Sequence, residues 1–421
     1  MGRASIFFTQ STLNQQVITL FALSFVLVPA QFLLIRLTRR KGQFKYMEDT
    51  YLLFIRRALL IVQGGLTLIL IVVLLELFLD QRYNSTLLIL STSMSYGLSI
   101  VVLSVLVKRF LSWSRKNLHP VVLLYTLSFA VIILNIFTTM LLVDVELPRR
   151  PDTIGPHIGT TIMFIPGSLN ATLNGIQTIS LIVGFTLMWG ATSMLLRNYS
   201  RKLGRAIYWI IIGIPLAYFL SQYLSLFLDF FVPLLDLDPI YYSIFLTLIF
   251  TLSKPAGAIL FSIAFWILAR KLRHNPAISN YMIISAYGIM LLFVSNQATF
   301  FTSGPYPPFG LNTIAFMGLS SYMILVGIYA SAVSVSQDTQ LRRSIKRYAE
   351  TESKLLQDIG YAEMENKLQD KVLRVSKETQ KNMKEEVKIE SSLSDEDVKV
   401  YLEEVLKEVG KYREENDRSK K

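Results

Sequence analysis

Cysteine is absent from the chain, and histidine is nearly so, with only three residues. The first absence excludes disulfides, thiolate nucleophiles and cysteine-ligated iron or zinc. The histidines, His119, His157 and His274, stand far apart and form no His-x-x-x-His pair, so we expect no metal site and no cofactor. A Gly-x-x-x-x-Gly-Lys-Ser/Thr phosphate loop is also absent. These absences lead us to expect no enzymatic activity.

Charge is the next scarcity. Only 17% of the 421 residues are charged and 52% are hydrophobic, whereas about a quarter of a soluble protein is charged. From Gln337 onward there are 19 basic and 20 acidic residues, which leaves 23 basic and 10 acidic residues before that point. This excess positive charge lies between apolar runs, where it orients membrane segments. We therefore expect no nucleic-acid partner.

Nine apolar runs are long enough to cross a bilayer, which takes about 20 residues. The predicted inner loops carry 18 basic residues and the outer segments carry four, so we expect the N-terminus outside and the C-terminus inside. The prediction is an all-α polytopic membrane helix bundle of about nine spans in the cell membrane, with the lipid bilayer around it. An eight-span alternative makes one of the last two runs a re-entrant hairpin. The runs are residues 16–35, 58–79, 86–107, 121–143, 176–196, 206–231, 243–269, 277–299 and 313–335.

The seventh run, YYSIFLTLIFTLSKPAGAILFSIAFWILA, holds Lys254 and Pro255 at its centre. A charged side chain at that depth is costly, and proline frees a backbone carbonyl one turn back. We expect Lys254 to be buried in the bundle, bonded to carbonyls near Thr251 and to Gln222. One interpretation is a ligand or ion site at a broken helix, and the other is a structural hydrogen bond.

A second candidate cluster joins polar side chains near the predicted outer ends of four spans. It consists of Glu76, Asp229, Asn296 and Gln297. If the helices adjoin, these residues form an outward-facing vestibule on a ligand or ion pathway. The alternative is that each one separately faces water at the membrane interface.

The chain divides into a membrane bundle, residues 1–336, a charged juxtamembrane helix or weak coiled coil, 337–390, and a short amphipathic helix with a disordered end, 391–421. The basic start of the tail, Arg342, Arg343, Lys346 and Arg347, suits anionic lipid headgroups. Imperfect heptads follow, with an interruption expected at Gly360 and a shifted register afterwards at Leu368, Val372 and Val375. The last helix carries an apolar stripe expected to bind a partner, Val398, Leu402, Val405, Leu406 and Val409.

The stretch YPPFGLNTIAFMGLSSYMILVGIYASAVSVSQDTQLRRSIK, residues 306–346, resembles uncharacterised multispan membrane proteins of ammonia-oxidising archaea. The tail elements IGYAEMENKLQDKV and SLSDEDVKVYLEEVLKEV resemble the same group. The resemblance covers about the last third of the chain. It implies an archaeal cell membrane and a sensor-like architecture, and it carries over no functional residue.

Three functions remain open at this point. The leading hypothesis is a sensor or signalling component that passes a membrane or external cue to a cytoplasmic partner through the tail. It depends on the ninth run continuing directly into a charged helix. The alternatives are a small-solute or ion transporter that uses the seventh run, and a scaffold subunit of a membrane complex. The tail heptads also allow a homo-oligomer.

Overall fold

The structure is a computed structural model, and it describes ten segments of the chain, all helical apart from short turns and caps. These segments are residues 13–41, 50–80, 82–116, 119–149, 168–197, 199–224, 239–273, 275–296, 310–337 and 351–387. The helices are α1 (Leu13–Lys41), α2 (Thr50–Leu79), α3 (Ser85–Lys116), α4 (Pro120–Glu146), α5 (Leu169–Leu195), α6 (Tyr199–Leu203), α7 (Arg205–Ser221), α8 (Pro239–Lys271), α9 (Pro276–Ser295), α10 (Gly310–Gln337) and α11 (Thr351–Val387).

The predicted all-α polytopic bundle is confirmed. Within the described segments, eight helices are long and apolar enough to cross a membrane, and all eight match predicted spans. The sixth predicted span corresponds to α7, which is shorter, and the end of that span lies outside the described residues. Both of the last two spans, α9 and α10, are continuous helices. The alternative in which one of them is a re-entrant hairpin is therefore wrong.

The chain runs back and forth, so the helix ends fall on two sides of the bundle. We call the side with Lys116 and Gln337 the tail end and the opposite side the far end. Several helices extend past their predicted spans at the tail end, and α3 continues to Lys116 where its apolar run stops near residue 107. Nine further residues add about 13 Å of helix beyond the apolar run. The extension gives the tail a surface on which to pack.

Helix α10 lies at the centre of the bundle. Every one of its residues is buried except Thr313, Ser334 and Gln337. It packs against α9, α3, α2 and α1, and at its tail end against α11. A helix that is enclosed on all sides has apolar residues all around it, with small residues where neighbouring helices come close. The outermost helices show the reverse, with apolar side chains facing outward.

Small residues bring α9 and α10 into close contact. A Cβ added at Gly327 would lie 2.6 Å from the backbone oxygen of Tyr281, and one added at Gly288 would lie 2.9 Å from the backbone nitrogen of Ile324. Side chains cannot be accommodated at such distances, so glycine is required on both helices. Close backbone packing is a principal source of helix association in a bilayer. It makes α9 and α10 one packed unit.

The outward surface of the bundle is apolar. On α1 and α2 the side chains of Phe25, Phe54, Ile61 and Phe78 are between 71% and 77% exposed. Exposed apolar area on this scale indicates contact with lipid or with another protein. Together with the span-length helices, it shows that the protein is a multi-pass membrane protein with a bilayer around it.

Candidate functional site

Lys254 lies in the middle of α8, about 22 Å along the helix from Pro239 and about 25 Å from Lys271 at 1.5 Å per residue. Its side chain is only partly buried. Lys254 Nζ donates a hydrogen bond to the backbone oxygen of Asn296 at 3.4 Å. Among the described residues, no carboxylate pairs with this ammonium. The lysine is thus held by a neutral carbonyl of the neighbouring helix.

Asn296 extends the contact into a network of polar side chains. Its Nδ2 donates to Asn135 Oδ1 at 2.9 Å. Asn135 Nδ2 donates in turn to the backbone oxygen of Gln177 at 2.8 Å and to Ser180 Oγ at 3.1 Å. We call Lys254, Asn296, Asn135, Gln177 and Ser180 the amide cluster. It joins α8, α9, α4 and α5 in the far half of the bundle.

The amide cluster is tied to its helices by further bonds. Gln177 Nε2 donates to Thr139 Oγ1 at 3.2 Å, and Thr139 Oγ1 donates to the backbone oxygen of Asn135 at 2.7 Å. Asn135 is 2% exposed and Asn296 is 8% exposed, so both amides are shielded from solvent. Buried amides rigidify a bundle when each finds a partner. The cluster therefore specifies how four helices meet.

The predicted partners of Lys254 differ from the observed one. Helix α8 runs without interruption from Pro239 to Lys271, with Pro255 inside it, so the predicted broken seventh span is wrong. Gln222 Nε2 donates to the backbone oxygen of Phe219 at 2.9 Å, three residues earlier in the chain. Gln222 is therefore not the observed partner of Lys254. The end of α9 supplies the acceptor instead.

Small residues follow Pro255 on α8, and an aromatic ring of a neighbouring helix packs against them. At Gly257 the neighbour is the ring of Phe185 on α5, which occupies the space that a Cβ would need. Phe185 stacks on Phe219 with ring centroids 3.8 Å apart and meets Phe261 edge-on. An aromatic core therefore lies next to the amide cluster.

The predicted vestibule is not assembled among the described residues. Glu76 Oε2 accepts a hydrogen bond from the backbone nitrogen of Asn84 at 2.9 Å, which closes the α2–α3 turn. Asn296 belongs to the amide cluster instead. The other two members, Asp229 and Gln297, lie outside the described residues. In the described parts of the chain, no group of three or more His, Asp or Glu side chains could hold a metal ion.

A second polar contact zone surrounds the far half of α10. Gln63 Nε2 donates to the backbone oxygen of Ala315 at 2.8 Å, and Ser95 Oγ donates to that of Ile314 at 2.6 Å. Ser99 Oγ and Ser321 Oγ are 2.5 Å apart. Each of these bonds links α10 to α2 or α3. Polar bonds of this kind hold helices together inside a bilayer, where lipid supplies no partner.

The tail helix α11 is docked onto the bundle. Leu356, Ile359 and Ala362 are each 2% exposed or less. A Cβ added at Gly360 would lie 2.7 Å from Cβ of Val335, near the end of α10. The glycine was expected to interrupt the helix, and that prediction is wrong. Its lack of a side chain allows close packing on α10, which outweighs the low helix propensity of glycine.

A buried polar pair completes the docking. Trp113 Nε1 on α3 donates to Glu363 Oε2 at 3.0 Å, and both side chains are 1% exposed. Lys116 Nζ reaches Gln369 Oε1 at 2.8 Å at the edge of the same interface. His119 Nε2 lies 3.8 Å from Asp358 Oδ2. The first part of α11 is therefore an integral part of the bundle. Its buried face packs against α3 and α10 and does not form the predicted weak coiled coil.

The remaining predicted site residues lie outside the described part of the chain. The headgroup-binding set, Arg342, Arg343, Lys346 and Arg347, falls between α10 and α11. The partner-binding set, Val398, Leu402, Val405, Leu406 and Val409, follows α11. Both assignments stay predictions.

Some of the residues that make the observed polar contacts could have been identified from the sequence. Asn135 and Gln177 are amides within apolar runs, and a polar residue inside a span usually faces the bundle interior. Trp113 and Glu363 carried no such signal, because each lies in an amphipathic, charged stretch where surface exposure is the ordinary outcome. Their pairing depends on how α11 packs.

Comparison with protein-family models, with curated proteins and with solved structures found no match for this chain. The resemblance to archaeal membrane proteins therefore stays a prediction.

Proposed function

We propose that this protein is a non-enzymatic signalling component of the cell membrane, which relays a change in the far half of the bundle to the cytoplasmic tail. The observation that carries the proposal is the docking of α11 onto the enclosed span α10 through Gly360 and Val335. A rigid contact between a central span and a tail helix transmits displacement, since packed interfaces shift between discrete arrangements and do not deform continuously.

The amide cluster is the input of the proposed relay. Lys254 holds the end of α9 through Asn296, and α9 packs along α10 with glycine contacts. A cue that draws the ammonium away from this carbonyl frees the end of α9. Because α9 and α10 pack as one unit, a displacement of α9 shifts α10 as far as its tail end. There α11 receives it and presents it to a cytoplasmic partner.

Hydrogen–deuterium exchange of the full chain in lipid nanodiscs tests the relay. Lys254→Met removes the bond to Asn296, and we expect amide exchange in residues 356–366 to change several-fold. The matched control is Leu252→Met, two residues away on the lipid-facing side of α8, where the side chain is 47% exposed. The control should leave exchange in α11 unchanged. An unaltered α11 in the Lys254 variant would refute the relay.

One alternative keeps a specific observation in its favour. The amide cluster brings a cation and several amides together between four helices of the bundle, and such groups are typical of solute and ion pathways. If the protein is a transporter, it conducts in proteoliposomes. Lys254→Met then abolishes the flux and leaves the thermal midpoint of unfolding unchanged. We expect no protein-dependent flux of protons or chloride, measured with entrapped pH- and chloride-sensitive dyes. Flux that depends on Lys254 would replace the relay by transport.

A further inference from the structure

Two arginines in the tail half of the bundle approach the central helix α10 from neighbouring helices. Arg109 on α3 places its guanidinium carbon 5.0 Å from the centre of the Tyr329 ring. Arg56 on α2 acts electrostatically on the side chain of Tyr322. Tyr322 and Tyr329 are seven residues apart, which sets them on one face of α10 at a separation of about 10 Å. The two guanidinium groups therefore lie along the same side of α10.

Both arginines are half-buried, and neither is neutralised. Arg56 lies at the edge of the buried face of α2, between Leu52 and Leu59, which are 8% and 0% exposed. In the part of the chain that the structure describes, neither guanidinium forms an ion pair with a carboxylate. A guanidinium carries five N–H donors. Each of these arginines therefore has donors available for an anion.

The hydroxyl of Tyr322 is a third polar group at this place. The residue is 2% exposed, and its hydroxyl makes no hydrogen bond to any described residue. A phenolic hydroxyl can donate to an anion that neighbouring arginines hold. We call Arg56, Arg109 and Tyr322 the arginine site.

The arginine site is bordered by apolar surface. The apolar segment of α2 runs Leu52–Leu79, so four apolar residues precede Arg56 on the side of the tail end. Among them Leu53 and Phe54 are 50% and 71% exposed. Long basic side chains near the end of a span extend toward the headgroup layer while their stems stay in apolar surroundings. An anion at this site therefore has both headgroup and acyl-chain surroundings beside it.

Phosphate is the anion that suits these donors. Arginine binds phosphate oxygens through two parallel N–H bonds, which a single ammonium cannot reproduce. Basic pockets between transmembrane helices are known to bind anionic lipid headgroups. A phosphate dissolved in water offers the same oxygens, but it has no acyl chains to pack on Leu53 and Phe54.

We propose that the arginine site binds the phosphate-bearing headgroup of an anionic phospholipid, whose acyl chains lie along the exposed face of α2. Arg56 and Arg109 hold the headgroup oxygens from two helices, and the Tyr322 hydroxyl donates to the same group. Helices α2 and α3 pack against each other and against α10, so the bound lipid links three helices. The proposal does not depend on the signalling role.

Lipid retention by the full chain tests the site. The protein is extracted from nanodiscs that contain equal amounts of phosphatidylcholine and phosphatidylglycerol, and the retained lipids are counted by native mass spectrometry. We expect the unaltered protein to retain phosphatidylglycerol in preference to phosphatidylcholine. Arg56→Gln with Arg109→Gln should lower the retained phosphatidylglycerol at least about tenfold, because two charged donors are lost.

The matched control removes the same charge from the exposed neighbours of the two arginines. Arg57→Gln with Lys108→Gln lies on the same two helices, and both side chains are exposed. Exposed charges contribute little, so retention should change by less than about twofold. Equal loss in the two double variants would show only general attraction to a basic surface and would overturn the site.

Two further outcomes would also overturn the proposal. Equal retention of the two lipids by the unaltered protein would mean that the site does not select negative charge. Inorganic phosphate at millimolar concentration is the water-soluble probe. Displacement of phosphatidylglycerol by inorganic phosphate would show a site for free phosphate and exclude the lipid.

A third variant keeps the test decisive if the loss of the arginines disturbs folding. The thermal midpoint of unfolding is measured in phosphatidylcholine alone for both double variants. If the arginine pair lowers this midpoint more than the control pair does, Tyr322→Phe decides, because it keeps both charges and the ring. It should lower phosphatidylglycerol retention about two- to tenfold, as expected for one hydrogen bond. Unchanged retention would overturn the placement of the headgroup beside α10.

Discussion

The bond between Trp113 and Glu363 allows the docking of α11 to be tested with one substitution. Trp113→Phe keeps the aromatic character and removes the N–H that the carboxylate accepts. A buried acceptor left without a donor costs about 1–3 kcal/mol, and a charged one costs more. Both groups are 1% exposed, so water does not replace the lost donor. We expect the docked state of α11 to lose about 3 kcal/mol.

Hydrogen–deuterium exchange in residues 356–366 measures this loss directly, since local opening sets the exchange rate. A change of about 3 kcal/mol corresponds to roughly 150-fold faster exchange, at a factor of ten for each 1.4 kcal/mol. The matched control is Glu365→Ala on the same helix. Glu365 lies 3.8 Å from Lys116 and is 32% exposed, so the change should cost no more than about 1 kcal/mol.

A double variant separates the hydrogen bond from the loss of packing. Trp113→Phe combined with Glu363→Leu removes both partners, which can be nearly neutral where removal of one is costly. We expect exchange to return most of the way to its rate in the unaltered protein. Exchange as fast in the double variant as in Trp113→Phe would show that the buried carboxylate is not the cause, and the reasoning would fail.

Three further outcomes follow from the same structure. Gly360→Leu should weaken the docking of α11 by about 1–3 kcal/mol, because the new side chain meets Val335. Adding Val335→Ala should recover part of this loss. No recovery would refute the contact. Asn135→Leu should lower the thermal midpoint, since it strips partners from the amide cluster at about 1–3 kcal/mol, and an unchanged midpoint would count against the cluster. A cysteine at Asn84 should react with a hydrophilic maleimide from outside the cell and one at Arg201 should not, whereas the reverse pattern would invert the predicted orientation.

The labelling position matters because the structure separates two residues that look alike in sequence. Asn84 and Asn170 both precede predicted outer ends of spans. Asn84 is exposed, whereas Asn170 is 7% exposed in the first turn of α5. A probe at Asn170 would report burial as well as sidedness, so Asn84 is the better site.

The sequence alone determined the class of the fold. Runs of about 20 apolar residues can satisfy their backbone in a bilayer only as helices, so α1 to α5 and α8 to α10 follow from hydropathy. The spans depend on local composition, which can be read directly from a single sequence.

Tertiary structure decided which polar groups meet. Lys254 and Asn296 are 42 residues apart, Asn135 and Asn296 are 161 apart, and Trp113 and Glu363 are 250 apart. No periodicity within one helix reveals such pairs, because they depend on the order and rotation of helices in the bundle. The same reason explains two of the wrong predictions. Pro255 does not break α8 and Gly360 does not break α11, because packing against neighbouring helices stabilises each helix beyond its intrinsic propensity.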